Sequence, residues 1–96
     1  MRSTDPTHPG EVLREDFLVP HGLSAGRLAR RLGVPRRRIG DLVRGRRGMT
    51  ADTALRLERA FGVSAQFWMT LQQQHDLIVA KGKAGADLDR IGRVAA

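Results

Sequence analysis

The run Gly33-Val34-Pro35 constrains this chain more than any other stretch, because it separates two short amphipathic segments. Ahead of it, Ser24 is placed to cap a helix whose Leu28, Ala29 and Leu32 fall on one face. Gly33 suits the left-handed position that ends a helix, and Val34 is an apolar plug. Pro35 has a φ preset for a helix start and no N–H to satisfy. A second helix is expected from about Arg36 to Arg44, with Ile39, Leu42 and Val43 inward and Gly45 as its stop. Two helices joined by a short turn containing glycine form a helix-turn-helix unit.

The charge is concentrated in the same stretch. Between Ser24 and Gly48 stand Arg27, Arg30, Arg31, Arg36, Arg37, Arg38, Arg44, Arg46 and Arg47. These nine arginines face one acid, Asp41, which gives the segment +8 in a chain whose net charge is +7. Arg36 and Arg37 open the second helix on its outer face, and Asp41 follows one turn on. In a helix-turn-helix the second helix enters the major groove with its N-terminal residues at the base edges. Arginine's planar fork of donors matches guanine O6 and N7 there. The competing reading is a solvated arginine face on a helical pair that contacts another protein. Charge this dense on so short a unit favours double-stranded DNA.

The rest of the chain sets bounds. Ninety-six residues make one domain with a small core and little room for a deep catalytic cleft. Without cysteine there is neither a disulfide framework nor a thiolate metal site, which fits a reducing compartment. No apolar run nears the ~20 residues of a membrane span, and the N-terminus lacks a signal-peptide core. The expected location is cytoplasmic and nucleoid-associated, with no membrane partner. A pI of about 11.6 favours a nucleic-acid partner. His8, His21 and His75 share no metal-like spacing with carboxylates. The adjacent Glu15 and Asp16 point to different helix faces. No enzyme, metal or cofactor is expected. Phe17, Phe61, Phe67 and Trp68 occupy core-like positions, whereas RNA recognition would place stacking aromatics on the basic surface.

Taken in order, residues 1–8 read as a flexible arm. Pro9 opens a first helix, with Val12, Leu13, Phe17 and Leu18 inward and Pro20 as its end. After the two-helix unit, Thr50 caps a helix over Ala51–Phe61, with Ala54, Leu57 and Phe61 inward and Gly62 as its stop. Ser64 caps the last helix, from Ala65 to about Ala80. Its apolar set is wider than one stripe, so Phe67, Trp68, Leu71 and Ile78 are expected to form the interface of a homodimer. The alternative is that Trp68 fills the protomer's own core. From Lys81 the composition shifts to Gly, Ala and charge, so 9–80 reads as the domain and 81–96 as a C-terminal tail. Nothing alternates at period two. The expected fold is all-α, with five helices and the helix-turn-helix as the second and third.

The stretches HPGEVLREDFL and LARRLGVPRRRIGDLVRGRRGMTADTALRLERAFGVSAQFWMTLQ resemble the HigA/VapI-type antitoxins of the lambda repressor-like, Xre-type helix-turn-helix proteins. The resemblance spans about His8 to Leu77. The run from Gly45 to Trp68 is specific to this branch. The resemblance implies a dimer that binds an inverted-repeat operator and represses its own operon. It also implies neutralisation of a small ribonuclease toxin of HigB/RelE-like type. A stand-alone Xre-type regulator without a toxin is the alternative. The toxin surface is left between the arm with the first helix and the outer side of the last two helices. Carried over by position, Arg36 and Arg37 reach bases and Asp41 accepts from cytosine N4. Arg44, Arg46, Arg38 and Arg47 grip phosphates, and the backbone at Ser24 and Ala25 meets another. Gly26 and Gly40 depart from the family pattern, where Gln or Glu and Ser or Thr are commoner, so no known operator sequence carries over.

Overall fold

A computed structural model describes residues 7–95. Helix α1 is continuous in three pieces: α-helical Pro9–Val12, a π-helical stretch Leu13–Leu18, and α-helical Val19–His21. It is followed by α2 (Ala25–Leu32), α3 (Arg36–Val43), α4 (Ala51–Phe61) and α5 (Ala65–Asp89). No strand occurs among the described residues, and the helix-turn-helix is α2 and α3, as the sequence implied. Of the expected arm, residues 1–6 lie outside the described residues.

The start signals act as read. Ser24 Oγ accepts from the Arg27 N–H at 3.1 Å, Thr50 Oγ1 from Thr53 at 3.3 Å, and Ser64 Oγ from Phe67 at 3.2 Å. Gly33 closes α2 at φ 73°, in the left-handed region that glycine enters without a Cβ penalty. The Val34 N–H donates back to the Ala29 carbonyl at 3.0 Å, and Val34 packs on the core. That closure is the one expected of a helix ended by glycine. It turns the chain so that Pro35 starts α3 at φ −60°.

Leu13, Leu28, Ile39, Leu42, Leu57 and Trp68 are the largest fully buried aliphatic and aromatic side chains. They come from all five helices, so the core locks the two-helix unit to its scaffold. Around them pack Val34, Val43, Phe17 and Phe61.

Three expectations are corrected. Helix α1 does not end at Pro20; it continues to His21 and closes at Gly22, φ 63°. Proline lacks an N–H and its ring crowds the carbonyl four residues back. The wider turn ahead of it, where the Val19 N–H donates five residues back to Arg14, accommodates that ring inside the helix. Helix α5 does not stop near Ala80 but runs to Asp89, so the helix continues past Lys81. Its first half is nucleated by packing, and a nucleated helix extends through Ala, Lys and Leu despite Gly82 and Gly85. Its 25 residues make the molecule elongated, 52 × 27 × 23 Å. Trp68 does not lie on an outer face; it is fully buried against Phe17 and Phe67, with ring centroids at 5.0 and 5.1 Å. At 100° per residue, Trp68, Gln72, His75 and Val79 share the face turned to the body. Phe67, Leu71 and Ile78 fall on the neighbouring face, where Phe67 and Ile78 are exposed.

Candidate nucleic-acid interface

Because Ile39 and Leu42 are buried, the opposite side of α3 must be outward. It presents Arg36, Arg37, Gly40, Asp41 and Arg44. The start of α2 lies alongside. Ser24, Ala25 and Gly26 face these residues across an open cleft of about 430 Å³. The first N–H groups of α2 have no intrahelical acceptor. They therefore sit where an anion is favoured by both donors and helix dipole.

The arginines are not equivalent. Arg37 is exposed, and its Nε lies 3.5 Å from Asp41 Oδ2 one turn on. Asp41 is the more covered partner, so here it orients Arg37 as well as facing the cleft. Arg44, Arg46 and Arg47 are exposed in the loop after α3. The Arg46 N–H donates to the Asp41 carbonyl at 2.9 Å, which folds this loop back onto the recognition helix. Arg38, expected to grip a phosphate, is engaged within the protein in the absence of DNA. It donates through Nη1 to Asp52 on α4, which also accepts from Arg56 Nε at 3.0 Å. Arg56 Nη1 in turn donates to the Leu32 carbonyl at 2.8 Å, at the end of α2. The Arg56 guanidinium, with Arg38 beside it, holds the Asp52 carboxyl below its ordinary range. Arg38 thus ties α3 to α4 and shares the single Asp52 carboxylate with Arg56.

A second set of contacts holds the arginine loop from behind. The Met49 N–H donates to Gln72 Oε1 at 2.6 Å, and Gln72 Nε2 donates to Asp76 Oδ1 at 2.8 Å. His8 caps α1 by accepting the Gly10 N–H at Nδ1, 2.9 Å away. Its ring stands edge-on to His75, 5.0 Å between centroids, and within about 4 Å of where a Cβ on Gly45 would lie. Burial pushes the His8 imidazole below its ordinary value, and the nearby His75 adds to that. These two histidines, remote in sequence, are neighbours in space. Among the described residues no group of three or more ligating side chains comes together.

Sequence reasoning missed Asp52, Gln72 and His8 as supports of this surface. Gln72 and Asp52 make long-range contacts that leave no local pattern. His8 had a legible signal, since it directly precedes a proline at a helix start.

A family model described as Helix-turn-helix matches residues 13–68. The chain is 55% identical over 74 residues to virulence-associated protein I of Dichelobacter nodosus, covering 77% of this chain and 68% of that protein. It is 37% identical over 79 residues to antitoxin HigA-1 of Vibrio cholerae, covering 80% and 74%. Among solved structures it resembles the Pseudomonas aeruginosa antitoxin HigA with the higBA promoter, at TM-score 0.90 and 43% identity, covering 94% of this chain and 99% of that one. With the matched span running from Leu13 to Trp68 and so covering the whole two-helix unit, the chain belongs to the Xre-type helix-turn-helix family that includes the HigA antitoxins.

Proposed function

We propose that this chain is a sequence-specific, DNA-binding repressor of its own operon and the antitoxin of a type II toxin–antitoxin module. The observation that carries the DNA half is the placement of Arg36 and Arg37 at the first turn of an outward-facing α3. Arg44, Arg46 and Arg47 flank them on a loop pinned to α5. Exposed, clustered guanidinium groups on a rigid seat suit a helix that enters the major groove between two phosphate strands. Arg36 and Arg37 read base edges, Arg44, Arg46 and Arg47 hold phosphates, and the start of α2 at Ser24 and Ala25 meets a further phosphate. The HigA relative solved with its promoter supports this use of the surface.

An inverted-repeat operator needs two copies. The exposed Phe67 and Ile78 on α5, with the half-buried Leu71 between them, support a homodimer through that helix. The antitoxin half rests on the relatives named HigA. In this reading the partner is a small HigB/RelE-like ribonuclease toxin, and the chain acts by binding rather than by catalysis. The protein works with DNA in the cytoplasm; no helix among the described residues is long and apolar enough to cross a membrane.

Two measurements test the two halves. Salt titration of binding to the chain's own promoter reads the phosphate contacts, and Arg46→Ala should flatten the log–log slope by about 0.9. Purification of the tagged chain from its native cells, with mass analysis, reads the toxin. Recovery of a stoichiometric small protein, toxic without this chain, establishes the antitoxin role. Recovery of the chain alone, still bound to its promoter, identifies a stand-alone regulator.

A further inference from the structure

Gly26 is an unexpected residue for its position. It is the second residue of α2, at ordinary helical φ, so its backbone does not require glycine. A glycine in a helix is less stable there than alanine. The reason for it lies across the seam between the two helices. A Cβ on Gly26 would stand 3.2 Å from Arg36 Nε, 3.6 Å from Cδ and 3.7 Å from Cγ. The shaft of Arg36 therefore lies flat over the bare backbone of α2. Gly40 differs: a Cβ there would lie 3.5 Å from Arg44 Nη1, an ordinary van der Waals contact that α3 could accept. Both glycines form the floor of the cleft whose walls include Arg36 and Arg44.

We infer that Gly26 is a specificity-determining position: its missing side chain seats Arg36 across the α2–α3 seam and so fixes where the guanidinium meets the base edges. The inference rests on the DNA-reading role proposed above for Arg36. The physical step is short. A Cβ 3.2 Å from Nε makes a tight contact in which one side must give by a few tenths of an ångström, and the shaft of Arg36 is flexible whereas the α2 backbone is held by the Ser24 cap. Arg36 therefore lifts, and its fork of donors moves with it. Bidentate pairing to guanine needs two parallel hydrogen bonds, so a displacement of a few tenths of an ångström at the shaft is amplified at the tip. Gly26 touches no base in this account. It acts as a positioning residue through Arg36, and a change there alters which base is preferred without removing positive charge.

The test is selection from a randomised duplex library by the full-length protein, followed by sequencing, for wild type, Gly26→Ala, Arg36→Ala and the double variant. Gly26→Ser serves as a second probe, and circular dichroism checks helicity throughout. Gly82→Ala is the control, because that helical glycine has nothing within 4 Å of its Cβ position. The expected result is that wild type and Gly82→Ala select the same motif. Gly26→Ala and Gly26→Ser should lose about tenfold preference at one base position per half-site, within the range a bidentate contact supplies. In the Arg36→Ala background Gly26→Ala should change nothing further. If wild type and both Gly26 variants select one motif with equal preference, the inference is overturned while sequence-specific reading survives. If the two substitutions act additively, Gly26 does not work through Arg36 and the inference is likewise overturned. If wild type selects no motif, the base-reading role of Arg36 falls, and the inference falls with it.

Discussion

Helix α1 meets α3 so closely at Gly10 that a Cβ built there would lie 1.8 Å from the carbonyl oxygen of Leu42. The contact is backbone against backbone, so no side-chain rearrangement relieves it. It places the start of α1 on the last turn of the recognition helix and fixes the height of α3 above the core. Gly10→Ala should therefore destabilise the fold by at least the ~1–3 kcal/mol typical of overpacking. Gly82→Ala, with open space around it, should stabilise it by about 0.5–1 kcal/mol. Urea unfolding followed by circular dichroism reads both, and equal midpoints for the two variants would remove the account of the α1–α3 contact.

His8 makes the fold sensitive to mild acid. Its pKa is lowered in the folded state by burial and by His75, while Asp76, a hydrogen bond to the Arg47 backbone and Glu11 act in the opposite sense. The unfolded chain then binds the proton more readily than the folded one, so stability rises with pH in this range. The contribution is complete above the ordinary imidazole value of 6.5 and is lost as pH falls below it. Geometry agrees in sign, because a protonated Nδ1 can no longer accept the Gly10 N–H. The melting temperature of wild type should fall between pH 7.5 and 5.5 more than that of His8→Ser, which keeps a capping oxygen. Parallel curves for the two proteins would contradict this role.

Asp52 restrains two arginines, and releasing them should be visible as DNA affinity. In Asp52→Asn, Arg38 loses its ion-pair partner and becomes available to a phosphate. Affinity for a duplex of unrelated sequence should rise a few-fold. The salt slope should steepen by up to ~0.9, the contribution of one phosphate contact. An unchanged slope would mean that Arg38 stays on the protein surface even when unpaired.

Trp68 and Ile78 separate folding from assembly. Trp68→Ala empties a fully buried site and should cost about 3–5 kcal/mol. That is a large share of the ~5–15 kcal/mol that holds a domain of this size together. Ile78→Asp changes a half-exposed residue on α5 and should leave helicity intact while halving the mass seen by light scattering. If Ile78→Asp keeps the mass of wild type, the dimer does not form on that stripe.

Local features were readable from the sequence because local physics sets them. Ser24, Thr50 and Ser64 announce helix starts through the oxygen they offer, and Gly33 announces a stop through the φ it tolerates. The inward residues of α3 follow from spacing alone, and so does the outward face that carries Arg36 and Arg37. Three features were not readable. Pro20 gave a valid stop signal, but the π-helical stretch ahead of it accommodated the ring. Trp68 and Phe67 are adjacent apolar residues, and only the placement of the body decides which one is covered. Arg38 looks like its neighbours until Asp52, fourteen residues on, is brought beside it by the packing of α4 on the two-helix unit.

Sequence-specific reading by the first turn of α3 is the central claim, and one titration tests it most directly. The full-length protein is titrated at moderate salt into a labelled duplex from its own promoter and into a scrambled duplex of the same length. The account predicts at least a thousandfold preference for the promoter, with Arg36→Ala or Arg37→Ala each costing about 1–3 kcal/mol of it. Equal binding of the two duplexes by the wild-type protein would show that the arginines of α3 hold phosphates without reading bases.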